Sequence, residues 1–255
     1  MMAEVGRFAT LAGLTAKTTL SSRKGAVTWV MALLPLYIVG GLVAYGREVD
    51  VLLYQTIVVP LFLQVVLIVT ALVHGSRLFR EEVEDNTLVY LTTRRISKAS
   101  LVAYKFLGYY GSVVLIVTPP LIASYFLALS NAGIPVEEDI EVLWSLMAMA
   151  AIGSAAYGGL FLLMGLVLKR PLTVGLLYGF LWESVAVSLP GDVPLLSISH
   201  YLWSVGKNLA EFGILAQYRT GLDLTWSVLT PLLVALVSVL LTYLLLIGRE
   251  VTSKD

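Results

Sequence analysis

The sequence predicts an all-α integral membrane protein with six transmembrane helices, and three observations carry that prediction. Six apolar runs are each long enough to cross a hydrocarbon core of about 30 Å, which takes about 20 helical residues. The chain is 58% hydrophobic and only 13% charged, with a mean hydropathy of +0.87, far from the near-quarter charged usage of a soluble domain. The runs also lack the strict alternation of a barrel strand, and a lone span must pair its own backbone groups, which makes helix the state they take. Residues 1–255 read as a single transmembrane domain.

The elements follow in order. Within residues 1–25, Val5, Phe8, Ala9, Ala12, Ala16 and Leu20 share one helical face while Arg7, Thr10 and Lys17 fall elsewhere. That pattern suits an N-terminal helix lying along a membrane interface, with a frayed tail as the alternative. No short apolar core with a small-residue cleavage site stands there, so the first run is expected to stay in the mature protein. The six runs are placed at 27–46, 51–74, 106–130, 142–168, 172–189 and 226–248. Pro35, Pro60 and the pair Pro119-Pro120 lie inside the first three, where each removes a helix hydrogen bond and can kink its span. Ser154-x-x-x-Gly158 and Gly175-x-x-x-Gly179 have the small-residue spacing of close helix contact, expected within the chain in preference to between subunits. Residues 190–225 contain SISHYLWSVGKNLAEFGILAQY, too apolar for a solvated linker, and re-entrant or interfacial helices are expected before the last span.

Charge sets the orientation and excludes several functions. One side of the predicted membrane collects 14 of the 17 Lys and Arg residues, whereas the other has Arg47, Lys207, Arg219 and an acidic loop, NAGIPVEEDIE. The positive-inside rule then places both termini and residues 76–105 in the cytoplasm, as expected for a multi-pass protein of the cell membrane. Net charge is zero and no basic block invites nucleic acid. The absence of cysteine excludes a disulfide, a thiolate nucleophile and a Cys-based metal site. There is no GxxxxGK(S/T), HExxH, GxSxG or helix-opening GxGxxG, so the chain reads as no enzyme, with no catalytic residue, no cofactor and no metal of its own. His74 and His200 fall on opposite sides of the membrane, which argues against a His-pair metal site, and both read as interfacial polar residues.

Glu183 is the one acid well inside a run. At 1.5 Å per residue it stands about 18 Å from the inner boundary near Pro171. An ionisable group in a span is costly to leave in lipid and is a candidate for lining a transport pathway. The alternative is that Glu183 reaches the outer interface or pairs with the 190–225 segment.

Residues 80–105, REEVEDNTLVYLTTRRISKASLVAYK, hold 9 of the 34 Asp, Glu, Lys and Arg residues between two apolar runs. The second span can continue as a helix through SRLFREEVED, and Asn86 tolerates the left-handed conformation that ends one. Residues 87–92 can then form a short crosswise helix with Leu88 and Leu91 on one side. Ser97 is a natural N-cap for a helix running into the third span. Orientation alone needs only the basic residues, so the paired acidic cluster asks for a further role.

This stretch resembles the cytoplasmic signature of ABC-2-type permeases, the membrane subunits of one large class of ABC exporters. Glu81, Glu82, Glu84 and Asp85 match the family's acidic run, Thr87 its threonine, and Leu88 and Leu91 its leucine-rich short helix. Arg94, Ile96, Ser97 and Lys98 match the Arg-Pro-(Ile/Val)-Ser-Arg element, and Lys105 the closing lysine. Asn86 replaces the usual glycine, and Arg95 replaces the usual proline, losing a fixed turn and adding a charge. The resemblance extends to the order of an interfacial helix, six spans and a re-entrant hairpin before the last. It implies that residues 76–105 hold a coupling helix seated in a groove of a separate ATPase subunit, with Tyr90 among its contacts. It further implies that ATP and Mg are bound by that partner, that a second copy or a paralogue completes the permease in the lipid bilayer, and that the substrate is exported. The rivals are an ATP-independent secondary transporter or channel, or a structural anchor subunit. A carrier should show paired ionisable residues at the midplane or a repeat between halves, and the sequence has one acid and no repeat.

Overall fold

The structure, a computed structural model, describes residues 13, 23–80, 97–135, 139–210 and 212–252. Among these residues every regular element is helical. Five helices are long and apolar enough to cross a membrane, or up to six where a bent pair near the start counts as one span. The expected interfacial face at 5–20 lies, Gly13 apart, outside the described residues.

The first run is corrected from one helix to two. Helices α1 (Arg23–Ala32) and α2 (Leu34–Ala44) meet at Leu33 with a bend of 41°. Pro35 stands in the first turn of α2, where its missing N–H leaves the Met31 carbonyl without a helical donor. Helix α3 (Val51–Gly75) opens with Asp50 accepting the Leu53 amide at 2.8 Å. Pro60 removes a further rung, and directly after it the helix widens into a π-segment over Phe62–Leu67.

Helix α4 (Lys98–Ala132) has 35 residues. At 1.5 Å per residue it is about 52 Å long, so its lysine-bearing first turns extend past a hydrocarbon core of about 30 Å. Pro119 and Pro120 lie within it without ending it. At its far end Gly133 adopts the left-handed conformation, φ 66°, that closes a helix.

Helix α5 (Ile140–Val167) is the core of the bundle and packs on α3 and α4, among others. Its most apolar stretch is 67% buried. The small residues foreseen as a contact surface serve contacts inside the chain. The Tyr109 ring of α4 lies against Gly158, and its hydroxyl donates to the Ser154 carbonyl at 3.1 Å. On helix α6 (Pro171–Ser188), Gly175 and Gly179 lie against Leu72 and Ile68 of α3. The rest of α6 is bare: only 28% of it is buried, and Leu176, Leu177, Leu181 and Val185 are exposed. It is therefore the rim of the bundle and α5 the centre.

The segment before the last span is helical, as the sequence predicts. A 3₁₀ turn at Val193–Leu196 leads into α7 (Ile198–Leu209) and the single turn α8 (Gly213–Ala216), before the long α9 (Leu224–Thr252). Gln55, near the start of α3, donates to the Phe212 carbonyl at 3.1 Å and accepts the Leu215 amide at 3.3 Å. The 190–225 segment is thus fastened to one end of α3, and the 76–105 segment grows from the other.

Candidate functional site

Polar groups gather at both ends of this bundle. At the 76–105 end, the expected helical extension of α3 is corrected: α3 stops at Gly75 and residues 76–79 form a turn. The turn lays Ser76 against Gly165 of α5 so closely that a Cβ on that glycine would overlap the Ser76 carbonyl. It also buries Leu78 and Phe79. A straight helix would hold both side chains in water, and each buried apolar side chain of this size contributes about 1.5–3 kcal/mol.

The roots of the charged segment are tied to three helices. Lys105 of α4 donates to the Leu78 carbonyl at 2.7 Å and lies 4.6 Å above the centre of the Phe79 ring, a cation–π distance. Arg80 donates to the Leu168 carbonyl at the end of α5 at 3.0 Å. Ser97 caps α4 as expected, accepting the Ser100 amide at 3.1 Å. Glu81, Glu82, Glu84, Asp85, Thr87, Leu88, Tyr90, Leu91 and Arg94 lie outside the described residues. Lys105 is legible in the sequence as the closing lysine of the motif, whereas the part Arg80 plays as a second anchor has no local signal.

At the opposite end Glu183 is 1% exposed and joins α6 to the start of α7. Its carboxylate accepts the Ser197 hydroxyl at 2.6 Å, the Ser199 amide at 2.9 Å and the Ile198 amide at 3.2 Å. These amides belong to the first turn of a helix, where N–H groups have no intrahelical partner, so the carboxylate acts as an N-cap supplied by another helix. The Ser199 hydroxyl continues the chain to Tyr157 of α5 at 2.8 Å. Of the two readings of Glu183, pairing with the 190–225 segment is the geometry observed. The serines of SISHY are the sequence signal for a helix start, but nothing local tells which acid will meet them.

One turn further along α7, a cleft of about 960 Å³ opens between the end of α6 and the 200–222 stretch. His200 is buried, and its Nδ1 is 2.7 Å from the Tyr218 hydroxyl. The Trp203 and Tyr218 rings stack at 5.4 Å. The 217–222 wall has no regular structure but is held in place: Lys207 donates to the Thr220 carbonyl at 2.9 Å, Asn208 to the Leu222 carbonyl at 3.1 Å, and Ser204 to the Thr220 hydroxyl at 3.0 Å. Among the described residues no group of three or more His, Asp or Glu side chains could hold a metal ion.

Burial lowers the His200 pKa below its ordinary value and pushes that of Tyr218 up to about 12, so both are neutral near pH 7. Because the folded protein binds the His200 proton less readily than the unfolded chain, its contribution to stability is complete above about pH 6.5 and declines as pH falls below that value. Denaturant titrations should show the far end loosening from pH 6.5 downwards, and His200→Gln should flatten that dependence.

No family model, curated protein or solved structure matches the chain.

Proposed function

We propose that this chain is the permease subunit of an ABC exporter. It works as a dimer, or beside a paralogue, in the cell membrane, with both termini cytoplasmic, and takes its energy from a separate ATPase subunit that binds ATP and Mg. The observation that carries this reading is the 80–105 segment: an acidic cluster, a leucine pair and a basic cluster, in that order, between two spans of a chain that has no phosphate-binding loop. The anchoring of its roots supports it. Arg80 and Lys105 fasten the two ends of the segment to the ends of α3, α4 and α5. A push delivered to residues 81–97 would therefore reach three helices together, which a loosely tethered loop could not achieve.

The test is co-purification. The tagged chain, expressed in its own cells, should bring a phosphate-loop ATPase through two purification steps, and the pair Leu88→Asp, Leu91→Asp should abolish the association by placing charges in an apolar contact. Purification of the parent chain without any ATPase, together with transport indifferent to that pair, would leave the ATP-independent carrier as the better reading.

A further inference from the structure

We propose that the cleft between the end of α6 and residues 200–222 is a binding site for a zwitterionic headgroup, with Arg219 taking its phosphate and Asp192 its ammonium. The inference stands independently of the exporter reading, since it concerns the other end of the bundle.

Three observations lead there. The cleft is built in advance, because its irregular wall is fixed by the bonds from Lys207, Asn208 and Ser204, and its aromatic slab by the His200–Tyr218 bond. A volume of about 960 Å³ is ample for a headgroup and the first carbons of a chain. Second, among the described residues the only formally charged side chains lining the cleft are Asp192 and Arg219, one of each sign, and neither makes a side-chain hydrogen bond or ion pair among those residues. A ligand carrying a single charge would satisfy one of them and leave the other unmatched. A molecule with both charges satisfies both, the phosphate through charge-assisted bonds to the guanidinium. The Trp203–Tyr218 slab adds a π surface on which a quaternary ammonium can rest.

The third observation concerns the rest of the molecule bound. Leu189 and Leu195 line the cleft and are exposed, and Leu189 directly follows α6 in the chain. A cleft lined by charged, aromatic and exposed aliphatic side chains together matches an amphiphile. The headgroup chemistry is shared by a phospholipid and by a soluble phosphoamine, so the experiment separates the two.

The full chain in mixed micelles is offered phosphatidylcholine and phosphatidylglycerol with identical acyl chains, and bound lipid is read by native mass spectrometry. Phosphatidylcholine should be retained about fivefold over phosphatidylglycerol; Asp192→Asn should bring the ratio towards one, and Arg219→Ala should lower retention of both lipids through their shared phosphate. Soluble phosphocholine tested alone gives the second arm. Binding of phosphocholine without lipid preference assigns the site to a soluble headgroup, and lipid preference without phosphocholine binding assigns it to a lipid. Equal retention of the two lipids with no binding of phosphocholine overturns the proposal, as does a preference that Asp192→Asn leaves intact or a retention that Arg219→Ala leaves unchanged. Neither substitution touches a buried group, so both variants should fold.

Discussion

Replacing Glu183 by alanine is expected to destabilise the protein by at least about 3 kcal/mol, because three buried donors lose their acceptor at about 1–3 kcal/mol each. Three donors lose their acceptor together: the Ser197 hydroxyl and the Ile198 and Ser199 amides. Water cannot readily replace it, since Ser197 is fully buried and Ser199 nearly so. Each buried donor left unpaired costs about 1–3 kcal/mol. Glu183→Gln should fall between parent and alanine, because the amide oxygen still accepts while its NH₂ faces groups that themselves donate. Denaturant titration in mixed micelles gives the magnitude, and limited proteolysis across residues 190–222 gives the place. An alanine variant with the parent's midpoint and the parent's proteolysis pattern would mean that α7 is not held by this carboxylate.

The same cap explains why a costly residue sits inside a span at all. The 190–225 segment is too apolar to stay in water, yet a helix that starts within it presents unpaired amides. An acid on the neighbouring α6 satisfies those amides and also fixes where α7 begins. His200, Trp203 and Lys207 follow on α7, so the cleft inherits its geometry from that bond.

The helical class was legible because lipid-spanning runs are a composition signal that tertiary packing seldom overrides. Ser97 was legible as a cap for a local reason, since the amide it accepts lies three residues away. The contact role of Ser154, Gly158, Gly175 and Gly179 could be read from spacing alone, although the partners Tyr109, Leu72 and Ile68 could not. Two local readings were incomplete where the outcome depends on distant residues. A kink at Pro35 was legible in residues 27–46, but the size of the bend is set by packing. SRLF looks like the extension of a helix, but residues 76–79 form a turn in which Leu78 and Phe79 are buried and Ser76 lies against Gly165. Within the candidate sites, His200 and Tyr218 are 18 residues apart and Arg80 bonds a carbonyl 88 residues away. No periodicity reports such pairs, because they exist only after the helices have packed.

On the proposed exporter reading, Lys105→Met should separate ATPase binding from transport. Lys105 reaches the Leu78 carbonyl and the face of Phe79, so it joins the start of α4 to the turn after α3 across the base of the charged segment. Methionine keeps the length and apolar stem of the side chain but removes the ammonium, leaving the Leu78 carbonyl without that donor at a cost of about 1–3 kcal/mol. The loss falls on the joint and not on residues 81–96, which that reading assigns to the ATPase, so the ATPase would still co-purify and still hydrolyse ATP. Its closure would then move the segment relative to α3 and α4 instead of moving the helices with it. Since about 1.4 kcal/mol is tenfold in an equilibrium, the substrate moved per ATP should fall by about tenfold while hydrolysis stays within about twofold of the parent. Lys105→Arg, which retains a donor and a cation, should recover most of the coupling. Equal losses of hydrolysis and transport in Lys105→Met would place the defect in ATPase docking, and parent-like coupling would show that force transfer does not depend on the Lys105–Leu78 bond.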